Sequence, residues 1–245
     1  MIELKNLTFA YENSGEKVLK DLNLKIEDGE FLCVIGHSGC GKSTLIHLLA
    51  GLEKVQEGEI LRDGKNMNKP GTDRAVVFQH YSLFPWMTVK KNVVFPTVKT
   101  GRFTKEEAGA RAELFLDKVG MAEHRGKYPF QLSGGMRQRT SIARALAMDS
   151  DVLLLDEPFG ALDYQNRGEL QRLLQKLWLE DKKTVIFVTH DLDEAMLLAT
   201  RIVFIKNGRV DKELRISERI NQCCAKSLKY DDCKALRASL EAWFQ

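Results

Sequence analysis

The sequence predicts an α/β fold with a parallel-sheet core, an antiparallel β subdomain and an inserted α-helical subdomain, and three observations carry that reading. Two short runs that read as buried strands, residues 152–155 and 184–188, flank a long helical stretch through Leu170, Leu173, Leu174 and Leu177, the strand, helix, strand spacing of parallel crossovers. A third apolar run, residues 31–35, leads through a glycine-rich loop into Leu45, Ile46, Leu48 and Leu49 at helical spacing, with Gly51 as the stop. Helical periodicity then occupies residues 104–148, inside a chain that reads as strands on either side.

Taken in order, residues 2–4, 7–9 and 18–26 read as short strands, with Leu22, Leu24 and Ile26 alternating against polar neighbours as in a half-exposed antiparallel sheet. Residues 52–78 continue in that style, with turn signals at Glu57-Gly58 and Asp63-Gly64 and a strand at 75–78. The helical block follows: Ala108, Leu114, Phe115, Leu116 and Val119 mark one helix before Gly120, and a second begins after Ser133. From about Ile216 the chain is mixed and amphipathic, ending in Leu240, Trp243 and Phe244, which predicts a packing helix.

At 245 residues, with 44% hydrophobic and 29% charged side chains, the composition is that of a soluble globular protein of one or two domains. A net charge of +3, without a basic stripe interleaved with aromatics, gives nucleic acid no support as a partner. Cys33, Cys40, Cys223, Cys224 and Cys233 form an odd set with no pairing framework, which fits a reducing compartment and predicts a cytoplasmic location. No leader pattern opens the sequence and no apolar run approaches the ~20 residues needed to span a bilayer, so any membrane role is expected to run through a partner.

The loop Gly36-His37-Ser38-Gly39-Cys40-Gly41-Lys42-Ser43-Thr44 fits the phosphate-cradling pattern G-x-x-x-x-G-K-[ST]. Glycines let the backbone curl round a polyphosphate, so that successive N–H groups and the positive end of the next helix face the anion. Lys42 is then expected to reach the β- and γ-phosphates and the Ser43 hydroxyl to ligate magnesium. The run at 152–155 ends in Asp156-Glu157-Pro158, two carboxylates at the C-terminal end of a buried strand, where open α/β sheets place their ligands. Successive residues there point differently, which assigns Asp156 to the metal and Glu157 to the attacking water as general base. Ser133-Gly134-Gly135 opens the second insert helix, with Ser133 as N-cap and uncovered backbone N–H groups as a second anion site. An isolated Asp-Glu pair is ordinarily a solvated turn and a lone Ser-Gly-Gly a simple cap; the phosphate loop upstream shifts both toward function.

With these motifs in this order the chain resembles the nucleotide-binding domain of ATP-binding-cassette (ABC) proteins from about Ile2 to Arg209, a P-loop NTPase core. The resemblance implies a cassette over residues 1–215, with the helical insert at about 81–148, and a helical tail over 216–245. It implies that Tyr11 stacks on adenine, that Gln79 links magnesium and lytic water to a membrane partner, that Asp163 communicates across a dimer and that His190 contacts the γ-phosphate. Taken singly, Tyr11 is equally a strand aromatic with Phe9 as competitor, Gln79 a solvated strand end, Asp163 a helix N-cap, and His190 a surface histidine before Asp191-x-x-Glu194. It also implies ATP and Mg²⁺ as cofactors and a homodimer, or a pair with a related cassette, sandwiching two ATP between the phosphate loop of one copy and Ser133-Gly134-Gly135 of the other. The aromatic segment 80–89, containing Tyr81, Leu83, Phe84 and Trp86, is costly to leave in water and is expected to receive an integral membrane permease, in part packing into the insert. Its wording, with Leu132 to Arg139, looks most like the ATPase subunits of nitrate, sulfonate, taurine and bicarbonate importers, placing the chain on the cytoplasmic face of the membrane with an extracytoplasmic solute-binding protein as indirect partner. The competing reading, a soluble ABC ATPase acting on nucleic acid or ribosomes, is expected to carry two cassettes or a coiled-coil insert; neither is visible here.

Overall fold

The computed structural model describes residues 1–12, 15–79, 82–160, 162, 164–217 and 231–244; Tyr81, Asp163, Cys223 and Cys224 lie outside the described residues. The chain forms two compact units, one from Met1–Gly71 with Lys182–Gln245 and the other from Thr72–Asp181.

In the first unit an antiparallel sheet has the order β2-β1-β4-β5, built from β1 (Ile2–Ala10), β2 (Lys17–Ile26), β4 (Glu57–Arg62) and β5 (Lys65–Asn66). The two runs read as separate strands at 2–4 and 7–9 are one strand with a bulge. Leu4 pairs with Leu24 and Leu7 with Leu22, so β1 spends one residue more than β2 over that step. Asn6 takes a positive φ of 50° there and its N–H donates to Asn23 Oδ1 at 2.9 Å, which keeps Leu4 and Leu7 both buried.

The same unit holds β3 (Phe31–Gly36), buried at every residue and parallel to both β8 (Thr184–Val188) and β9 (Arg201–Lys206). Strands covered on both faces have no polar side to alternate with, which is why these read as unbroken apolar runs. A hairpin then joins β9 to β10 (Arg209–Arg215) through Asn207 and Gly208, both at positive φ. This turn seats on β2: Lys20 N–H donates to the Gly208 carbonyl at 2.9 Å. Two helices complete the unit's core, α1 (Lys42–Ala50) and α6 (Leu192–Leu198), and a third, α7 (Asp231–Glu241), realises the helix expected in the tail.

The second unit pairs β6 (Arg74–Val77) with β7 (Val152–Asp156) in parallel and carries α2 (Val89–Lys99), α3 (Lys105–Lys118), α4 (Gly134–Ala147) and α5 (Tyr164–Asp181). The start of α3 is a capping box: Thr104 Oγ1 accepts from Glu107 N–H, and the Thr104 N–H bond returned to the Glu107 carboxyl holds that carboxyl below its usual range. Sequence periodicity does not announce α2, whose Val93, Val94, Thr97 and Val98 favour strands and whose Pro96 lies inside the helix. Packing against α3 and α4 overrides that propensity.

Asn92 on α2 is wholly buried and organises the loop before the helix. Its Oδ1 accepts from Phe84 N–H at 2.7 Å, and its Nδ2 lies 3.1 Å from the Phe84 carbonyl, 3.0 Å from that of Met87 and 3.1 Å from that of Thr88. An apolar replacement strands these loop groups without partners. Asn92→Ala is therefore expected to lower stability by about 2–4 kcal/mol, read from the shift of the urea unfolding midpoint.

Candidate active site

The phosphate loop emerges from the C-terminal end of β3 and closes on α1. A Cβ at Gly36 would meet the Ile205 carbonyl oxygen at 2.4 Å and Cys40 Sγ at 2.8 Å, and one at Gly41, at φ 105°, would meet Leu19 Cδ2 at 2.6 Å. These two positions accept no side chain, so the glycines the pattern demands are steric requirements of this loop. Gly41 is also the N-cap of α1 and, as a glycine, makes no side-chain cap hydrogen bond. His37, Ser38 and Gly39 are exposed, as is Ser43, while Thr44 is buried.

Lys42 is buried beneath the loop. Its ammonium donates to the Gly36 carbonyl at 2.9 Å and the His37 carbonyl at 2.8 Å, with Cys40 Sγ at 3.8 Å. The cation is thus tied to the loop it serves, its charge held among carbonyl dipoles. Burial pushes the Cys40 thiol up, against the opposing pull of Lys42, so it stays protonated at neutral pH and is a poor nucleophile.

Tyr11, just past β1, exposes its ring, and its hydroxyl lies 3.2 Å from Thr44 Oγ1. Phe9, the competing aromatic, is buried and meets Tyr11 edge-on at 5.0 Å. Of this pair, Tyr11 is the one exposed to solvent. In the parallel register Val34 faces Val188, so Gly36 and His190 both lie two residues beyond that matched pair. His190 is exposed, between Thr189, whose hydroxyl donates to Glu194 Oε2 at 2.6 Å, and Asp191, which caps α6 by accepting from Asp193 and Glu194 N–H.

The second unit repeats the device. Val77 faces Leu155 across β6 and β7, and two residues beyond each lie Gln79 and Glu157. Gln79 Nε2 donates to Glu157 Oε2 at 3.3 Å, so strand register brings together two residues far apart in sequence. Asp156, one residue earlier, is buried. Glu157 itself sits at a positive φ of 45°, a strained backbone for a residue with a Cβ. Ser133 caps α4, its hydroxyl accepting from Met136 N–H at 3.3 Å, and Gly134 and Gly135 are half-exposed beside it.

Asn92 and Arg144 carry no motif that single-sequence reading detects. Arg144, inside α4, is largely buried and donates to the Ser82 carbonyl at 2.7 Å. Burial pushes its guanidinium down to about 10, still charged at neutral pH. It ties the helix that starts at Ser133 to the stretch following Gln79. A buried arginine at a helical core position was the available signal.

A family model described as ABC transporter matches residues 19–160. The chain belongs to the ABC transporter family. It is 47% identical to an uncharacterized ABC transporter ATP-binding protein of Methanocaldococcus jannaschii over 88% of this chain and 82% of that one. It is 46% identical to the nitrate import ATP-binding protein NrtD of Synechococcus elongatus, over 82% of this chain and 74% of that one. With the bicarbonate transport ATP-binding protein CmpC of the same species identity is 47% over 84% of this chain, but only 32% of CmpC is covered. Among solved structures it matches the dimeric ABC transporter cassette MJ0796 with a TM-score of 0.82 and 38% identity, covering 89% of this chain and 99% of that one. The post-hydrolysis dimer of MJ0796 bound to ADP and Pi matches with a TM-score of 0.81 at 37% identity, over 89% and 99% of the two chains. The protein is accordingly an ABC ATPase cassette of α/β fold.

Glycine adopts the conformation of residue 157 without Cβ strain. Glu157→Gly is expected to raise stability by about 0.5–1 kcal/mol while abolishing ATP hydrolysis, measured by urea unfolding and phosphate release.

Proposed function

We propose that this chain is the ATP-hydrolysing subunit of an importer, working at the cytoplasmic face of a membrane on a separate permease, with a solute of the nitrate or bicarbonate kind delivered by an extracytoplasmic binding protein. The observation that carries the hydrolytic part is the contact of Gln79 with Glu157 at the ends of two parallel strands. A carboxylate held against an amide, on a loop whose backbone is strained into place, is poised to accept a proton from a water that the same amide can orient. The names of the nitrate and bicarbonate relatives support the solute class.

The roles follow the chemistry of each group. In the first unit Lys42 and the backbone N–H groups of residues 36–44 bind the β- and γ-phosphates, the exposed Tyr11 ring stacks on adenine, and His190 contacts the γ-phosphate. In the second, Glu157 takes the proton as water oxygen attacks the γ-phosphorus and the bond to ADP breaks. Ser43 with its hydroxyl, Asp156 with its carboxylate and Gln79 with its amide oxygen are the residues that would hold Mg²⁺. These are hard oxygen ligands, and no group of three or more His, Cys, Asp or Glu with metal-holding geometry exists among the described residues. A hydroxyl, a carboxylate and an amide oxygen suit a hard cation that keeps several waters and takes phosphate oxygens. When bound, Mg²⁺ neutralises phosphate charge. Ser133, Gly134 and Gly135 act on the nucleotide of a twin copy, with Asp163 as the link across the pair, so that ATP closes the dimer and hydrolysis releases it.

For the permease, the supporting feature is a set of aromatics in the second unit. Trp86 is 69% exposed and Phe95 40%, both packed on Phe84, and Phe130, 78% exposed, stacks on Tyr128. No helix among the described residues is long and apolar enough to cross a membrane. Recovery of this chain with a multi-span membrane protein supports the importer reading, whereas ATPase stimulation by DNA or ribosomes argues against it.

Glu157→Gln keeps the shape of the side chain and removes the base. Turnover is expected to fall about 10²–10⁴-fold with ATP affinity retained, and an ATP-dependent dimer to accumulate on gel filtration. Hydrolysis at the parental rate in that variant would remove Glu157 from the role.

A further inference from the structure

The C-terminal segment has no part in the roles above, yet it ends against the phosphate loop. Helix α7 buries Cys233, Leu236 and Leu240, and its Arg237 pairs with Asp193 in the first turn of α6, the helix that follows His190. Past α7 the chain turns through Ala242–Phe244. The Phe244 ring meets the His37 imidazole edge-on, centroids 5.2 Å apart and planes at 74°, and lies 4.9 Å from Phe204 of β9. Trp243 packs on Phe204 at 6.1 Å, and His37 itself lies 6.0 Å from Phe204. The second residue of the phosphate loop is thereby held in a cluster of rings, one from the sheet and the others from the end of the tail.

His37 is also the residue whose carbonyl accepts from Lys42 Nζ at 2.8 Å. A side chain that fixes the His37 ring limits the rotation of the peptide carrying that carbonyl. The peptide in turn holds the ammonium that the loop presents to phosphate. The ring contact and the Lys42 hydrogen bond thus meet at one residue of the loop, His37.

We propose that Phe244, backed by Trp243, is a positioning residue for nucleotide binding: through His37 it preorganises the phosphate loop, so the C-terminal tail sets the affinity for ATP. This rests on the reading of residues 36–44 as the phosphate site. A tail that merely covered the buried Phe204 ring would change stability and leave nucleotide affinity alone.

The test is MgATP binding to the purified full-length chain by titration calorimetry. Phe244→Ala is expected to weaken binding about three- to tenfold, the range a lost aromatic contact supports. Phe244→Tyr, which keeps the ring edge, is expected to bind like the parent. His37→Ala is expected to weaken binding to a similar degree, and His37→Ala/Phe244→Ala to be no weaker than His37→Ala alone, since one contact is removed twice. Parental affinity in Phe244→Ala, tighter binding, or additive losses in the double variant overturns the proposal. If Phe244→Ala does not fold, Phe244→Leu fills the space without the ring and carries the same expectations. Lys42→Ala separates the two levels. Parental ATP affinity in that variant defeats the phosphate-site reading itself, whereas lost binding there with native binding in Phe244→Ala defeats only the role of the tail.

Discussion

The parallel pairing of buried strands is the constraint on which the rest depends. Hydrogen bonds between β3 and β8, and between β6 and β7, fix residues in register at Val34 with Val188 and at Val77 with Leu155. The loops leaving those strands then start level with one another. Gly36 and His190 follow from the first pair, Gln79 and Glu157 from the second. Because these strands are buried on both faces, apolar content alone does not choose among registers; the ladder pairing sets which residues leave the strands level with one another. Chemistry placed at the ends of such strands needs little further support to be aligned.

Where support is needed, it comes from buried polar groups that spend their hydrogen bonds on loop carbonyls. Lys42 does this for the phosphate loop, Asn92 for residues 84–88 and Arg144 for Ser82. A charged or amide group taken out of water is tolerated only if its donors are used, and irregular backbone supplies the acceptors that regular structure does not. The same arrangement makes each loop specific, because an apolar side chain in any of these places would leave main-chain groups unpaired. Glu157 shows the converse: its positive φ costs free energy that a glycine would avoid.

Much of this was legible before folding. The phosphate loop, the strand entering it and the helix leaving it each have a local signature, as do Ser133 as N-cap and Asp191 at the start of α6. Tyr11 and Phe9 are both strand-end aromatics, and their difference in burial, Phe9 covered and Tyr11 exposed, was not legible in local sequence. The bulge at Asn6 was misread as a break between two strands because one extra residue interrupts the alternation. Helix α2 lies within the insert of about 81–148 that the family resemblance implied, but its own periodicity does not announce it, because its valines, threonine and proline argue locally for extended chain; the turn at Asn207 and Gly208 was passed over although its residue types announce it.

The amino-acid sequence by itself determined the elements whose cause is local: glycines where no Cβ fits, apolar runs that must be buried on both faces, capping residues at helix starts, and the order of motifs that marks an ABC cassette. Tertiary structure alone decided what meets what. Gln79 and Glu157 are 78 residues apart and touch because two strands are in register; Phe244 reaches His37 because a tail helix packs against α6 and turns back at its end. Periodicity records which face of an element is buried, but the partner that buries it is chosen by the packing of the whole chain, and no local stretch of sequence contains that choice.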